Sequence, residues 1–339
     1  MVSTLEDVAR LAGVSRSTVS RVINDHPSVR METREKVWQA VRESGYRPHA
    51  VARSLVTRRT HIIGMVIPES VTDMFADPFF PLLLRGATET CNAHHYQLML
   101  SLLNDPARQE EMYQRVVRNG YIDGVVVASA SLNDSIFSRL LHDRFPFVTV
   151  GQHPDEHVHY VDIDNVAGAR MAVEHLIRLG HRRIGTITGR LDMTAGQDRL
   201  KGYRQALEAH RIPVDEELII EGDFTEGSGE IGARRLLPAS PTAIFSGSDA
   251  MAIGALKVLR HAGYQVPQDI ALVGFDDVPI ASTIEPALTT VRQPIEHLGS
   301  MAVEVLVGLL QGAPEEQRTT HKIILPTELI VRESCGALG

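Results

Sequence analysis

Apolar residues at Leu5, Val8, Ala9 and Ala12 recur at helical spacing behind Thr4, a residue type that caps helix starts. Gly13 then offers the positive-φ position that a tight turn needs. Ser15 opens a second helical run to about Asn24, with Val19, Val22 and Ile23 inward and Arg16, Ser17, Ser20 and Arg21 outward. A third run, about 32–44, sets Val37, Trp38 and Val41 on its inner face and stops at Gly45. Pro48 breaks whatever follows.

From His61 onward the pattern changes to strand, loop and helix in alternation. Apolar runs at 62–67, 98–102 and 124–127 alternate with helical stretches near 80–94, 107–119 and 134–142. The second half repeats the plan, with strands at 183–187, 218–220, 242–245 and 270–273. Short unbroken apolar strands between helices imply parallel sheets covered on both faces. The expected fold is a small all-α helix-turn-helix head followed by an α/β body of two Rossmann-like parallel-sheet subdomains, with a ligand cleft between them.

Charge sharpens this division. The 339 residues carry a net charge of -8, which by itself argues against a polyanionic partner. Residues 1–60, however, hold eleven Lys or Arg against six Asp or Glu, so the head stands at +5 and the remainder at -13. A basic head on an acidic body is the asymmetry expected when one domain meets nucleic acid. In a helix-turn-helix the second helix must enter the major groove with hydrogen-bonding side chains on its first turns. Arg16 and Arg21 can each fork onto a guanine edge, and Ser17 can give or accept. A plain three-helix bundle with surface arginines would show the same spacing.

A closer match decides between them. Thr4-Leu5-Glu6-Asp7-Val8-Ala9, Ala12-Gly13-Val14-Ser15 and Thr18-Val19-Ser20-Arg21-Val22-Ile23-Asn24 resemble the signature of the lactose-repressor family of bacterial regulators. Thr33-Arg34, Val37 and Gly45-Tyr46-Arg47-Pro48 continue it in register. The resemblance implies base contacts from Arg16, Ser17 and Arg21, with Thr4, Ser15, Thr18, Ser20 and Asn24 touching the DNA backbone or positioning the helices. Residues 50–55 are too short to form a stable helix alone in water. They resemble the family's hinge, which implies that Ala52, Arg53 and Leu55 enter the minor groove, with Leu55 as the wedge that kinks the duplex.

The body carries further matching stretches: Asp77-Pro78-Phe79-Phe80, Asp162-Ile163-Asp164-Asn165, Asp198-Arg199-Leu200-Lys201-Gly202-Tyr203, Ser248-Asp249-Ala250 and Gly274-Phe275-Asp276-Asp277, with Gln293-Pro294 later. They resemble the family's effector-binding core, of periplasmic-binding-protein type. The expected domains are 1–47 for the DNA-binding head and 48–60 for the hinge. Residues 61–161 with 292–322 would form the first subdomain, and 162–291 with 323–339 the second. Arg199 and Asp276 match positions that ligate effectors, a fork donor and a bidentate acceptor suited to vicinal hydroxyls. Phe80 and Phe224 are candidate ring platforms, and Gln152, Met193 and Thr194 candidate contacts. Asp249 is either a helix cap or a ligand contact.

Other chemistry fares worse. Gly227-Ser228-Gly229-Glu230-Ile231-Gly232 spells a dinucleotide fingerprint, so an NAD-dependent enzyme is the rival reading. Its first glycine lies well past the strand that ends near Ile220, whereas a pyrophosphate turn needs the glycine at the strand's end. His153, His157 and His159 sit in a Pro-bearing loop rather than at ligand spacing on a helix, which reads as solvated histidines rather than a metal site. No catalytic constellation stands out, and neither an enzyme activity nor a cofactor is expected. Two cysteines, Cys91 and Cys335, fit a reducing cytoplasm, with Cys91 a small buried hydrophobe. No apolar run is long enough to span a membrane, and the first residues do not read as a signal peptide. The sequence therefore predicts a cytoplasmic repressor, a homodimer or tetramer, bound to a near-palindromic operator and controlled by a small effector such as a sugar.

Overall fold

Thr4 begins the first helix with a reciprocal cap. Its hydroxyl accepts from Asp7 N at 3.3 Å, and the Asp7 carboxylate accepts from Thr4 N at 3.0 Å. Such a capping box satisfies two donors that a helix start otherwise leaves bare. Helices α1 (Leu5–Ala12), α2 (Arg16–Ile23) and α3 (Met31–Ser44) enclose Val8, Val19, Val22, Val37, Ala40 and Val41. Gly13 turns the chain at φ 65°. Trp38 does not join this core as expected: it is 36% exposed, because Val37, Ala40 and Val41 take the inward stripe of α3.

The computed structural model describes residues 4–23, 28–46, 59–67, 71–103, 105–128, 131–132, 134–312 and 319–337. Asn24 and the hinge residues Ala52, Arg53 and Leu55 lie outside the described residues.

The body begins with β1 (Ile62–Ile67), then α4 (Val71–Ala76), α5 (Phe79–Ala93), β2 (Gln97–Leu102) and α6 (Pro106–Met112). A π-helical stretch, Tyr113–Arg118, completes what the sequence pattern suggested was one helix. Next come β3 (Gly124–Ala128), α7 (Ser135–His142), β4 (Phe147–Val150), β5 (Tyr160–Ile163) and α8 (Asn165–Arg178). The second array holds β6 (Ile184–Thr188), α9 (Thr194–Ala209), β7 (Ile219–Glu221), α10 (Glu226–Leu236), β8 (Ala243–Ser246), α11 (Asp249–His261) and β9 (Ala271–Asp276). The chain closes with β10 (Thr289–Arg292), α12 (Ile295–Gln311), β11 (Lys322–Leu325) and β12 (Glu328–Ile330).

One sheet runs β11-β5-β4-β3-β1-β2, all parallel, and the other β12-β10-β9-β8-β6-β7, parallel except for β12. The central strands β3, β6, β8 and β9 are buried along their whole length, as a sheet covered on both faces requires. The chain passes between subdomains after β5, after β10 and between β11 and β12. The boundaries expected at 161, 291 and 322 cut through β5, β10 and β11; β5 and β11 stay whole in the first sheet, and β10 stays whole in the second. Hydropathy marks a strand's apolar residues and not which sheet its last residues pair with, so the junctions fall slightly later.

Cys91 is fully buried, and burial pushes its thiol up to about 11. Among the described residues no helix is long and apolar enough to cross a membrane.

Candidate functional site

The head presents a polar face on α2. Ser15 accepts from Thr18 N at 3.2 Å and so caps the helix, while its hydroxyl also meets those of Ser17 and Thr18 at 2.8 Å each. Arg16, Ser17 and Arg21 are exposed, and Thr18 and Ser20 are half-buried beside them. Arg16 Nε lies 3.2 Å from Glu6 Oε1 across the turn. Val19 and Val22 anchor the opposite face in the core, so the exposed side chains are held at fixed angles on a rigid element. Such a face can meet base edges and phosphates at once.

The second site lies between the two sheets. Arg199 projects from α9 and is 6% exposed. Its Nε donates to Asn165 Oδ1 at 2.9 Å, and Nη1 donates to Gly247 O at 2.5 Å and to Asp276 Oδ1 at 3.4 Å. The guanidinium lies over Phe275, with Cζ 3.7 Å from the ring centroid. Asp276, at the end of β9 and 5% exposed, also accepts from Gln293 Nε2. Its backbone sits at φ 121°, and that of Asp277 at φ 56°. Two successive positive-φ aspartates are strained, and the Asp277 carboxylate holds the turn by accepting from Arg292 at 2.7 Å and Arg332 at 2.6 Å.

Two lobes of one cleft meet at Arg199, Gln293, Phe79, Met193 and Ala195. One is a space of about 630 Å³ including its mouth, lined by Phe137, Gln152, His153, Asp162 and Thr194 among others. The other is about 1140 Å³ including its mouth, with Asp77, Phe80, Asp223, Phe224 and Asp276 in its wall. Phe224 is seated tightly: a Cβ on Gly189 would lie 1.9 Å from its ring. Thr194 Oγ1 donates to Gln152 O at 2.8 Å, and Leu132 N donates to Asp192 O at 3.0 Å, so the subdomains are clasped across the cleft.

Burial dominates the electrostatics. It raises Asp162 to about 6, despite N–H bonds from Ile163 and Gln152. It also lifts Asp77 above its usual range, and lifts Asp276 well above it although Arg199 pulls the other way. Burial likewise pulls Arg199 down, countered by Asp276, Asp162, Asp249 and Asp77 in that order. One buried guanidinium thus serves several desolvated carboxylates.

The comparisons with known proteins cover both the head and the body. Residues 4–49 match the model for bacterial regulatory proteins of the lacI family, and residues 173–335 that for a periplasmic binding protein-like domain. The chain is 42% identical over 336 residues to the HTH-type transcriptional regulator CelR of Thermobifida fusca, covering 98% of each chain. The chain belongs to the lacI family. Among solved structures it is similar to a CelR–cellobiose complex, with a TM-score of 0.78, 40% identity, and 98% of this chain and 99% of that one covered. It is also similar to the lac repressor dimer bound to operator and the anti-inducer ONPF, with a TM-score of 0.84, 27% identity and 99% of each chain covered.

As a lacI-family member the protein is a DNA-binding transcriptional regulator and not an enzyme. The rival dinucleotide fingerprint falls inside α10, whose cap is Thr225. Two of its glycines serve helix packing: a Cβ on Gly229 would lie 2.1 Å from Met251 O, and one on Gly232 would lie 2.8 Å from Ile187. Asp249 is neither the cap nor a cleft contact. Ser248 caps α11, and the Asp249 carboxylate, 0% exposed, accepts from Thr290 Oγ1 at 2.6 Å and Val278 N at 3.0 Å beneath the cleft floor. Phe80 is mostly core, and its edge meets Phe79, which faces both lobes and is the better platform. His153 is not a solvated loop residue: it packs on Phe137 at 4.6 Å between ring centroids and lines the first lobe. Among the described residues no group of His, Cys, Asp or Glu could hold a metal ion.

The cleft residues that sequence reasoning did not assign include Asp77, Phe79, Asp162 and Gln293, with Asn165 behind them on Arg199. All five stand in stretches that carried the family resemblance, so the signal was present without a role attached.

Proposed function

We propose that this regulator is a cytoplasmic homodimer or tetramer that reads a near-palindromic operator and responds to a sugar held between its two core subdomains. The observation that carries the effector reading is the buried Arg199–Asp276 pair with aromatic walls: a fork donor, an acceptor and ring faces, which is the chemistry of hydroxyl recognition. CelR is solved with cellobiose, so cellobiose and related disaccharides are the first effectors to test. Arg16, Ser17 and Arg21 read base edges, with Thr4, Ser15, Thr18, Ser20 and Asn24 positioning the head. Ala52, Arg53 and Leu55 enter the minor groove when two hinges meet. The first subdomain takes about 61–163, 293–312 and 319–325, and the second the remainder of the core.

Effector binding shifts the separation of the two hinges and so the DNA-bound population. Selection from a random duplex pool tests the operator reading: an inverted repeat supports a two-fold dimer, and a single asymmetric site removes it. Titrating cellobiose into the operator complex while following anisotropy tests the effector. A change in operator affinity of about tenfold or more is expected, corresponding to a coupling of at least about 1.4 kcal/mol.

A further inference from the structure

Both lobes of the cleft are poor in cations. Asp162 lines the first, and Asp77, Asp223, Glu226 and Asp276 line the second. Among the described residues Arg199 is the one arginine in either lining, and no lysine joins it. Its Nε and Nη1 are committed to Asn165, Gly247 and Asp276, and one face is covered by Phe275. Only Nη2 meets no acceptor among the described residues, which leaves two N–H donors for a ligand. Burial lowers the pKa of His153 in the first lobe, against the pull of Asp155.

Two N–H groups suit a pair of hydroxyls. A phosphate needs more: several converging donors, a helix N-terminus or a cluster of basic side chains. We infer that the cleft selects an uncharged, hydroxyl-rich ligand and excludes its phosphorylated or carboxylated counterparts. Each lobe sets carboxylates against a phosphate placed in it: Asp162 in the first, and Asp77 and Asp223 in the second, where Glu226 is paired with Lys257. Burial raises Asp162 to about 6 and lifts Asp77 above its usual range, so these parts of the cleft disfavour a desolvated negative charge. At the exposed Asp223, by contrast, burial is outweighed by hydrogen bonds from Thr225, which hold it below its usual range. An added dianion in this setting is a like-charge juxtaposition, which weakens binding by about 100-fold or more.

The inference rests on the reading of the cleft as a sugar site, and the experiment separates the two. Full-length protein is titrated calorimetrically with neutral mono- and disaccharides, cellobiose among them, and with the phosphate of each at matched ionic strength. The expected result is binding of a neutral sugar, with its phosphate about 100-fold weaker or undetectable. A phosphate that binds as tightly as its parent sugar overturns the inference and leaves the sugar reading standing. Binding by no member of either series overturns the sugar reading itself, and the inference with it. The double variant Asp77→Asn/Asp223→Asn supplies a second readout, because the ratio of the two affinities should narrow by about tenfold. An unchanged ratio would assign the exclusion to shape and refute the electrostatic argument.

Discussion

Asp123 and Thr60 are joined twice: Thr60 N and Thr60 Oγ1 both donate to Asp123 Oδ1, at 2.6 and 2.8 Å. His61 N donates to the other carboxylate oxygen at 2.9 Å, and Arg59 Nη2 donates to Leu310 O at 2.6 Å. These bonds fix the chain where the expected hinge, 48–60, meets the first subdomain. A movement of that subdomain therefore reaches the hinge through a rigid root rather than a slack linker.

Replacing Asp123 with Ala leaves those backbone donors without their acceptor, and should cost about 1–3 kcal/mol of core stability. The cleft lies elsewhere, so effector affinity measured by calorimetry should stay within about threefold. The change in operator affinity that effector produces should shrink, because the hinge root no longer follows the subdomain. Unchanged coupling in an anisotropy titration would show that the hinge is driven by other contacts.

Arg199 cannot be replaced conservatively. Lysine lacks the fork that reaches Asn165 and Gly247 together, and lacks the planar face that lies on Phe275. Arg199→Lys should weaken effector binding by about 100-fold, and Arg199→Ala should also destabilise the core by about 3–5 kcal/mol through its orphaned carboxylates. The head folds around its own core, so operator binding by the lysine variant should persist. Full effector response in Arg199→Lys would move the ligand contact to another residue.

Much of this arrangement is legible in the chain because it rests on local periodicity. The caps at Thr4 and Ser15, the turn at Gly13 and the apolar stripes of α1 and α2 are short-range facts, and the helices follow from them. The strands of the body are likewise continuous apolar runs. What periodicity cannot supply is which distant groups converge. Asn165 and Arg199 meet across two helices, and Gln293 reaches Asp276 only because the chain passes between subdomains after β10. Asp249 shows the reverse error. Its place at a helix start suggested capping or ligand contact, yet tertiary packing buries it against Thr290 and gives the cap to Ser248. Trp38 was misplaced for a similar reason: its helix turns Val37 and Ala40 inward instead.

Asp162 makes stability depend on pH. Its pKa is raised to about 6 in the folded protein from an ordinary value of 3.8, with burial as the main cause. The folded state therefore holds this proton more tightly than the unfolded chain. Its stabilising contribution is complete below about pH 4 and is lost as pH rises through about 6. The total is about 2–3 kcal/mol for this shift. Asp162→Asn has no such titration, so the parent's Tm minus that of the variant should be larger at pH 5 than at pH 8. A difference that stays constant, or grows toward alkaline pH, would show that Asp162 is ionised throughout.

Arg16 and Arg21 should act as base readers rather than as phosphate clamps. Both are exposed on α2, whose opposite side is fixed by Val19 and Val22. Arg16 is held beside Glu6, and an exposed pair of this kind stabilises the fold by under about 1 kcal/mol. Losing it will not unfold the head, so Arg16→Ala and Arg21→Ala isolate recognition from stability. Each should relax preference at one base pair per half-site, with a loss of about 1–3 kcal/mol of discrimination there. A phosphate contact would instead weaken all sequences alike and flatten the salt dependence of binding. Measuring affinity across single-base operator variants at two salt concentrations distinguishes these outcomes, and uniform weakening would remove both arginines from the readout.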